Sequence, residues 1–210
     1  MSPNRAAALP GNASLREHLI ATAARLIAER GTAGLTVREI ARAARVADGV
    51  LYNHFAAKED LLAAALEAHT RTVEDAVLRP DPVAPGTGTV AANLGELITR
   101  GLALHAAVLP AFAGLLGQPK VLARLNGVPG GDGSGWLLRE LLTDYLRGER
   151  DLGRVAADAD VEMAVTTIIG ACHGLVLPHV FGADPAARLD VPEGFASGLA
   201  AVVLSGIGPR

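Results

Sequence analysis

Apolar residues recur along almost the whole chain at the three- and four-residue spacing of a helix face. In the first such stretch, Leu15, Leu19, Leu26 and Ile27 fall on one side of a helix that ends at Gly31. We find no run of alternating β-branched residues bounded by turns, which is the pattern typical of a strand. The sequence therefore predicts an all-α protein.

The composition fits a soluble protein, because half the residues are hydrophobic and 20% are charged. The longest apolar candidate, Gly101–Gly117, contains His105 and Pro110 and falls short of the roughly 20 residues of a membrane span, so we interpret it as buried. Residues 1–13 have no signal-peptide pattern and are expected to form a flexible tail. The single cysteine, Cys172, excludes an intrachain disulfide. We expect a cytoplasmic protein without membrane contact.

Proline and glycine residues divide the chain into two parts. The segment Arg79–Thr89 contains three prolines and two glycines, which a helix does not tolerate internally, so we place the domain junction there. The glycine-rich residues 127–135 are expected to form a mobile loop, and residues 182–192 another connection. Beyond the junction the periodicity predicts helices near 90–117, 119–126, 135–150, 158–180 and 191–206.

The first 80 residues predict four helices, of which the second and third are the most informative. Thr36 stands three residues before Glu39, which is the spacing of a capping box at a helix start. A very short polar helix is predicted at Asp48–His54, and a long one begins near Lys58. Two helices joined by a tight turn form a helix-turn-helix, whose second helix can enter the DNA major groove.

The charge distribution agrees weakly with a polyanionic partner for this part. Residues 1–60 contain eight lysines and arginines against six aspartates and glutamates, whereas the whole chain has a net charge of −3. The N-terminal part is therefore the better candidate for DNA contact.

The stretch LTVREIARAARVADGVLYNHFAAKEDLL, residues 35–62, resembles the DNA-binding signature of TetR-type transcriptional regulators. The resemblance covers about residues 14–66. It rests on the capped second helix, the Gly-X-Leu-Tyr-X-His-Phe core and the Lys-Glu-X-Leu start of helix four, in the family's order. It implies a helix-turn-helix domain over 14–60, a connecting helix four over 61–78, a linker over 79–89 and a larger helical effector-binding and dimerisation domain over 90–210.

The resemblance also implies a role for individual residues. The residues expected to contact phosphates are Thr36, Arg38, Tyr52, His54 and Lys58. Those on or beside the base-reading surface are Asp48, Gly49, Val50 and Asn53. Those expected to form the core of the three helices are Ile40, Val46, Leu51 and Phe55. The division agrees with chemistry, since donors reach phosphate oxygens and apolar groups are buried.

Three positions depart from the family pattern. Arg45 stands where the family usually has the turn glycine, and a left-handed conformation there costs about 1 kcal/mol, which a phosphate contact by Arg45 would offset. Ala47 and Ala57 replace the usual capping residues, each worth about 1 kcal/mol. Asp48 either caps helix three in place of Ala47 or accepts a hydrogen bond from a cytosine amino group.

For the second domain the resemblance implies a homodimer, which would place two recognition helices about 34 Å apart on a palindromic operator. We predict that the last two helices form the interface, because Gly170 and Gly174, and likewise Gly194 and Gly198, are four residues apart and let another helix approach. Close packing within one subunit is the alternative explanation.

A small-molecule pocket is also implied, and its lining is harder to predict. Candidates combine apolar bulk with a few polar tips: His105, Phe112, Trp136, Leu141, Tyr145, Met163, Thr167 and His173. Each of them also fits an ordinary core. Because adjacent helix positions diverge, Cys172 and His173 do not form a metal site, and we expect neither metal nor cofactor. Since few acids or bases suggest a charged effector, we expect an uncharged or largely apolar one.

The chain is therefore predicted to be a TetR-type regulator, with repression implied by the family. We find no motif of a hydrolase nucleophile, a phosphate-binding loop, a zinc protease or a dinucleotide site, so an enzyme is not expected. Two alternatives stay open: a helical interaction module that has lost specific DNA binding, and a regulator that responds to a partner protein.

Overall fold

The computed structural model describes residues 12–115, 118–125, 136–182 and 189–207. This part of the chain contains nine helices and no strand, which confirms the all-α prediction. The helices are α1 (Asn12–Arg30), α2 (Val37–Ala44), α3 (Asp48–Tyr52), α4 (Lys58–Val77), α5 (Val90–Ala113), α6 (Pro119–Leu125), α7 (Trp136–Asp151), α8 (Val161–Val180) and α9 (Phe195–Ile207). The predicted tail, except for its last two residues, and the predicted mobile loop at 127–135 lie outside the described residues.

Several helix ends differ from the prediction, and local backbone chemistry explains two of them. Helix α8 begins at Val161 because the Asp160 carboxylate accepts a hydrogen bond from the Met163 N–H, 3.0 Å away. Helix α9 begins at Phe195 and not near residue 191, since Gly194 has a φ of 72° that a helix cannot continue.

Two helices, α5 and α8, are long and apolar enough to cross a membrane by length and composition. Helix α5 begins at Val90 and is therefore longer than the apolar stretch Gly101–Gly117 considered from the sequence. Both helices contribute to the protein core: the most apolar stretch of α5 is 44% buried and that of α8 is 33% buried. Core helices pass the same length test, so the finding is weak evidence for a membrane segment.

The buried apolar residues form two clusters. The larger lies among α5, α7, α8 and α9 and includes Ile98, Leu142 and Val165. The smaller lies beneath α1 to α4, and we call these four helices with their core the DNA-binding head. Its core is completed from later in the chain by Ala111, Leu115 and Val121. The head therefore packs directly on the end of α5 and on α6, beyond the predicted domain boundary at residue 60.

The connection between α4 and α5 is held against its neighbours by hydrogen bonds. Arg100 donates to the Pro80 carbonyl at 2.5 Å, and Arg154 donates to the Gly88 carbonyl at 2.8 Å. The fully buried Glu149 carboxylate pairs with Arg154 at 3.1 Å. This segment, predicted as a linker, is thus held by Arg100, near the middle of α5, and by Arg154, which follows α7.

Candidate nucleic-acid interface

Helix α2 begins with the predicted capping box, which the structure confirms. The Thr36 hydroxyl accepts a hydrogen bond from the Glu39 N–H at 3.2 Å, and the Glu39 carboxylate accepts one from the Thr36 N–H at 2.8 Å. Hydrogen bonds from Thr36, side chain first and then backbone, lower the pKa of Glu39, and Arg30 at 3.1 Å adds to this effect. The start of α2 is therefore fixed, and with it the exposed Thr36 and Arg38.

The turn after α2 has the left-handed conformation that the family's glycine would adopt. Arg45 has φ 60° and ψ 40°, and the Val46 N–H returns to the Ala41 carbonyl at 3.0 Å. A left-handed non-glycine residue costs about 1 kcal/mol or more, as the sequence predicted. The Arg45 side chain is exposed on the same part of the head as the start of α3.

Of the two roles left open for Asp48, the cap of α3 is not observed, because no side-chain cap hydrogen bond is present among the described residues. Ala47 holds the cap position and makes no side-chain bond, while Asp48 is already the first helical residue. Its carboxylate instead lies 3.5 Å from Nε of Arg38. Without a side-chain cap, α3 depends on tertiary packing for its position.

That packing comes from one buried residue of α3 and one that follows the helix. Leu51 and Phe55 are buried in the core of the head, whereas Tyr52 is 63% exposed and Asn53 is exposed. The Arg16 guanidinium of α1 lies 5.0 Å from the centroid of the Phe55 ring, which is a cation–π distance. No local pattern predicts a contact between residues so far apart in the chain. Polar side chains therefore leave α3 on the side away from the core.

Gly49 and Val50 lie on this outer side as well. No described atom lies within 4 Å of the position that a Cβ at Gly49 would occupy. Val50 is partly buried, and so is His54 in the turn that follows α3. The absence of a side chain at Gly49 consequently leaves the backbone of α3 open to an approaching molecule.

Ala57 cannot cap helix α4 with its side chain, and a hydrogen bond to Asp60 takes the place of that cap. The Ala57 N–H donates to Asp60 at 2.9 Å, which is the backbone half of a capping box. Asp60 also pairs with Arg124 of α6 at 2.6 Å, and so links the start of α4 to the second part of the chain. The spacing of Ala57 and Asp60 hinted at the first bond, but the pair with Arg124 spans 64 positions and has no local signal.

A second link joins the head to α5. The fully buried Thr32, in the turn before α2, donates to the Ala111 carbonyl at 2.8 Å. That carbonyl belongs to the last turn of α5, where backbone carbonyls have no hydrogen-bond partner within the helix. Gly114 lies so close that an added Cβ would be 2.5 Å from Oγ1 of Thr32 and 2.6 Å from the Ala33 nitrogen. Sequence reasoning missed this contact.

The cations around α3 differ in their partners. Arg30 and Arg38 are paired with Glu39 and Asp48, respectively. In the part of the chain that the structure describes, Arg42, Arg45 and Lys58 form no ion pair. The head therefore presents unpaired positive charge beside its exposed short helix, as a phosphate-binding surface requires.

The glycines predicted at the dimer interface lie on α8 and α9, with one exception. Gly194 stands outside α9 in a left-handed conformation, so it does not share a helix face with Gly198. Gly170, Gly174 and Gly198 are exposed, and no described atom lies within 4 Å of a Cβ added at any of them. Packing within the subunit thus does not account for their small size.

The residues predicted for the pocket do not line one cavity together. Met163 and Thr167 are exposed on α8 and border a groove of about 420 Å³ between α8 and α9. His105 and Tyr145 are buried in the larger core, and Phe112 and Leu141 pack at its edge. Trp136 is the first residue of α7, and its side chain lies outside the described part.

Two histidines of the set contact each other inside the core. The rings of His105 on α5 and His173 on α8 have centroids 4.4 Å apart. Burial lowers the pKa of His105 to about 4, with a smaller contribution from His173, and burial also lowers the pKa of His173. Among the described residues, no three side chains of His, Cys, Asp or Glu come together as a metal site. The absence of a metal stays a prediction.

A larger groove, of about 830 Å³, lies between α5 and the segment that leads into α9. Apolar side chains from both elements border it, among them Leu102, Ala103, Val191 and Phe195. No predicted pocket residue with a described side chain borders this groove. Large side chains were expected to line the pocket, whereas the α5 side of the groove is formed mostly by alanine and glycine.

Comparison with known proteins agrees with this geometry. Residues 19–65 match the family model of bacterial regulatory proteins of the tetR family. The HTH-type transcriptional repressor KstR2 of Rhodococcus jostii is 44% identical over 62 residues, a match that covers 30% of each chain. The chain thus spans less than a third of this curated relative's length in the alignment.

Solved structures match over most of the chain. A TetR-family transcriptional regulator from Mesorhizobium loti superposes with a TM-score of 0.74 at 16% identity, covering 95% of this chain and 99% of that one. FadR of Bacillus subtilis, solved in complex with stearoyl-CoA, gives a TM-score of 0.58 at 24% identity, covering 91% and 98%. Identities this low show the fold alone. The match over residues 19–65, which runs from α1 into α4, confirms the resemblance that the sequence suggested, and the shared fold agrees with it.

Proposed function

We propose that this chain, a TetR-family regulator by its head and its fold, represses transcription by binding a palindromic operator as a homodimer. The curated relatives that match the head are named transcriptional repressors and not enzymes, which supports this reading. A small, uncharged or largely apolar molecule would release the dimer from DNA.

The observation that carries the proposal is the two-sided arrangement of α3. Leu51 and Phe55 hold the helix from inside, while Tyr52 and Asn53 project outward beside the open backbone of Gly49. The unpaired cations Arg42, Arg45 and Lys58 flank this surface. A helix supported from behind, with donors at its front and positive charge around it, is the arrangement that places side chains in the major groove.

The homodimer is supported by the outer face of α8 and α9. Residues at helical spacing along α8 are exposed there, namely Met163, Thr167, Gly170, Gly174 and Pro178. Met163 is 60% exposed, and Val202 on α9 is 66% exposed. Apolar and small residues with no partner in their own subunit fit a four-helix contact between two copies.

The effector is expected in the second part of the chain, and the groove between α5 and α9 supports an apolar compound there. Its volume of about 830 Å³ lies in the range of small-molecule sites, and its described lining is mainly apolar. The structural neighbour FadR is solved with stearoyl-CoA, in which a long apolar chain is joined to a charged coenzyme. This neighbour therefore supports an apolar chain in the ligand but not an uncharged ligand. Such a ligand must bind one conformation of the dimer more tightly than the other, and so shift the position of α4 and of the recognition helices.

Loss of DNA binding is the alternative, and the departures at Ala47 and Asp48 are the observations in its favour. Without a side-chain cap α3 is less stable, and a carboxylate faces the expected position of the phosphates. The exposed Tyr52 and the unpaired Lys58 weigh against this alternative. An experiment on DNA distinguishes the two.

That experiment is fluorescence anisotropy of the full chain against DNA flanking its own gene, over a salt series. Tyr52→Ala should weaken binding at least tenfold, since it removes an exposed donor from α3. Leu152→Ala is the matched control, because Leu152 is also exposed but lies after α7, remote from the head in sequence. Weak binding that is equal on all sequences and unaffected by Tyr52→Ala, with no site found by genome-wide selection, would favour the interaction module.

A further inference from the structure

Arg38 and Asp48 form an ion pair that joins the first turn of α2 to the first residue of α3. Nε of Arg38 lies 3.5 Å from Oδ2 of Asp48, and the two side chains are 86% and 56% exposed. Asp48 begins the helix that is expected to enter the groove. The exposed Arg38 guanidinium therefore lies beside the N-terminal end of α3, the helix proposed to enter the groove.

We propose that Arg38 reads a guanine in each half-site and that Asp48 positions the Arg38 guanidinium for this contact. The inference rests on the proposed function and adds the identity of one base. An arginine can donate two parallel hydrogen bonds to O6 and N7 of guanine, which is the commonest specific contact in the major groove. A guanidinium has five N–H donors, so a carboxylate on the Nε side leaves the terminal N–H groups free for the base.

The pair also explains an aspartate on a DNA-facing surface. An unpaired carboxylate there would repel the phosphates, and Asp48 does not serve as a side-chain cap for α3. Glu39, the neighbour of Arg38, is already held by Thr36 and Arg30 and does not compete for the Arg38 guanidinium. Asp48 is thus the carboxylate that is placed to orient Arg38.

The free protein gains little from this contact, because exposed ion pairs contribute about 0–1 kcal/mol. Its effect belongs to the DNA complex, where water is excluded and a guanidinium held in one orientation loses less freedom on binding. We therefore expect the thermal midpoints of Arg38→Ala and Asp48→Ala to stay close to that of the unaltered protein, while their base preferences change.

The test is selection of operators from a random DNA library by the full chain, followed by affinity measurements on the selected site and its single-base changes. Arg38→Ala should lose the preference for one guanine in each half-site, a loss of roughly 10- to 100-fold in discrimination. Asp48→Ala should reduce the same preference but strengthen binding to random DNA, since it removes a negative charge near phosphates. The exposed pair of Arg79 and Asp75 provides matched controls, Arg79→Ala and Asp75→Ala, which should change neither property.

The possible results are distinct. If Arg38→Ala weakens binding to all sequences equally and lowers the salt slope by about 1, Arg38 contacts a phosphate and the inference is wrong. If Asp48→Ala removes a base preference that Arg38→Ala retains, Asp48 itself reads a cytosine, which also overturns it. If the unaltered protein selects no sequence, the proposed function fails, whereas selection of a site without dependence on either residue overturns only the further inference.

Discussion

Arg45 is a single residue that is expected to lower the stability of the fold and to favour DNA binding. Its left-handed backbone conformation is unfavourable for any side chain, yet its guanidinium is exposed and unpaired beside the recognition helix. A glycine would adopt the same conformation without strain. We infer that the arginine is retained in the turn for its charge.

Arg45→Gly should accordingly raise the free energy of unfolding by about 1 kcal/mol and weaken DNA binding. If Arg45 contacts a phosphate, the slope of log affinity against log salt should fall by about 1. Urea unfolding measures the first effect, and anisotropy titrations at several salt concentrations measure the second. Asp81→Gly is the matched control, because Asp81 is the other described non-glycine residue with positive φ and lies in the α4–α5 connection. It should gain stability without losing affinity, and equal DNA binding by both variants would show that Arg45 makes no contact.

Among the elements, α3 is unusual because it is five residues long and lacks a side-chain cap. An isolated helix of this length does not form in water, so its position depends on the buried Leu51 and the neighbouring helices. Its glycine lowers its helical stability further. The same glycine leaves the backbone of α3 open on the exposed side of the helix.

Gly49→Ala should therefore separate folding from function. The added methyl group meets no described atom within 4 Å, and alanine favours a helix by up to about 1 kcal/mol over glycine, so stability should rise or stay equal. DNA binding should weaken, because the methyl group occupies the side that approaches the groove. Thermal unfolding and anisotropy test the two statements, and Gly95→Ala in α5, which also has open space around it, serves as the control. Unchanged DNA affinity in Gly49→Ala would place α3 outside the groove.

Burial of His105 on α5 should make the stability of the protein depend on pH. The pKa of His105 is lowered from 6.5 to about 4 in the folded protein, so the unfolded chain binds more protons between these values. Stability is therefore complete above pH 6.5 and falls as the pH decreases towards 4, by up to about 1.4 kcal/mol per pH unit. His173 acts in the same direction, since its pKa is also lowered by burial.

His105→Leu should reduce the stability lost between pH 7.5 and pH 5 by about 2 kcal/mol relative to the unaltered protein. Urea unfolding at the two pH values provides the measurement. Carboxylate titration affects both proteins alike, so the difference between them isolates the histidine. An equal loss in both proteins would mean that protonation of His105 does not lower the free energy of unfolding.

The sequence predicted those parts of the elements that depend on neighbours within a few residues. The capping box of α2 joins residues three apart and could be inferred from spacing, whereas the left-handed turn at Arg45, which ends α2, was expected from the family resemblance. The pairs of Thr32 with Ala111 and of Arg124 with Asp60 join positions 79 and 64 residues apart. No local pattern specifies such contacts, because they depend on how helices pack in three dimensions.

The candidate site divides in the same way. The outward side of α3 followed from the motif, whereas the orientation of Arg38 towards Asp48 depends on the angle between two helices and was missed. The groove between α5 and α9 was missed because small residues give no chemical signal of a cavity. For the whole molecule, periodicity indicated helices but did not indicate that the head rests on the end of α5.

At the scale of the whole molecule, that contact between the head and α5 should be measurable. Thr32→Val keeps the shape of the side chain and removes the hydrogen bond to the Ala111 carbonyl, which should lower the free energy of unfolding by about 1–3 kcal/mol. Thr99→Val is the control, since its hydroxyl bonds within α5 on an exposed face. Chemical unfolding followed by circular dichroism gives both values. Equal, small effects would show that Thr32 does not link the two parts.

The shared core of the head has a consequence for recombination. A head excised at the α4–α5 junction and grafted onto a different regulator would lack Ala111, Leu115 and Val121. The apolar side chains of α1 and α4 that share a core with these residues would then be exposed to water. Chimaeras that exchange operator preference between regulators should therefore fold only if α6 and the end of α5 are transferred together with the head. The alternative is that the recipient supplies side chains of matching shape. In this chain, the portable unit is defined by packing and not by the proline-rich boundary.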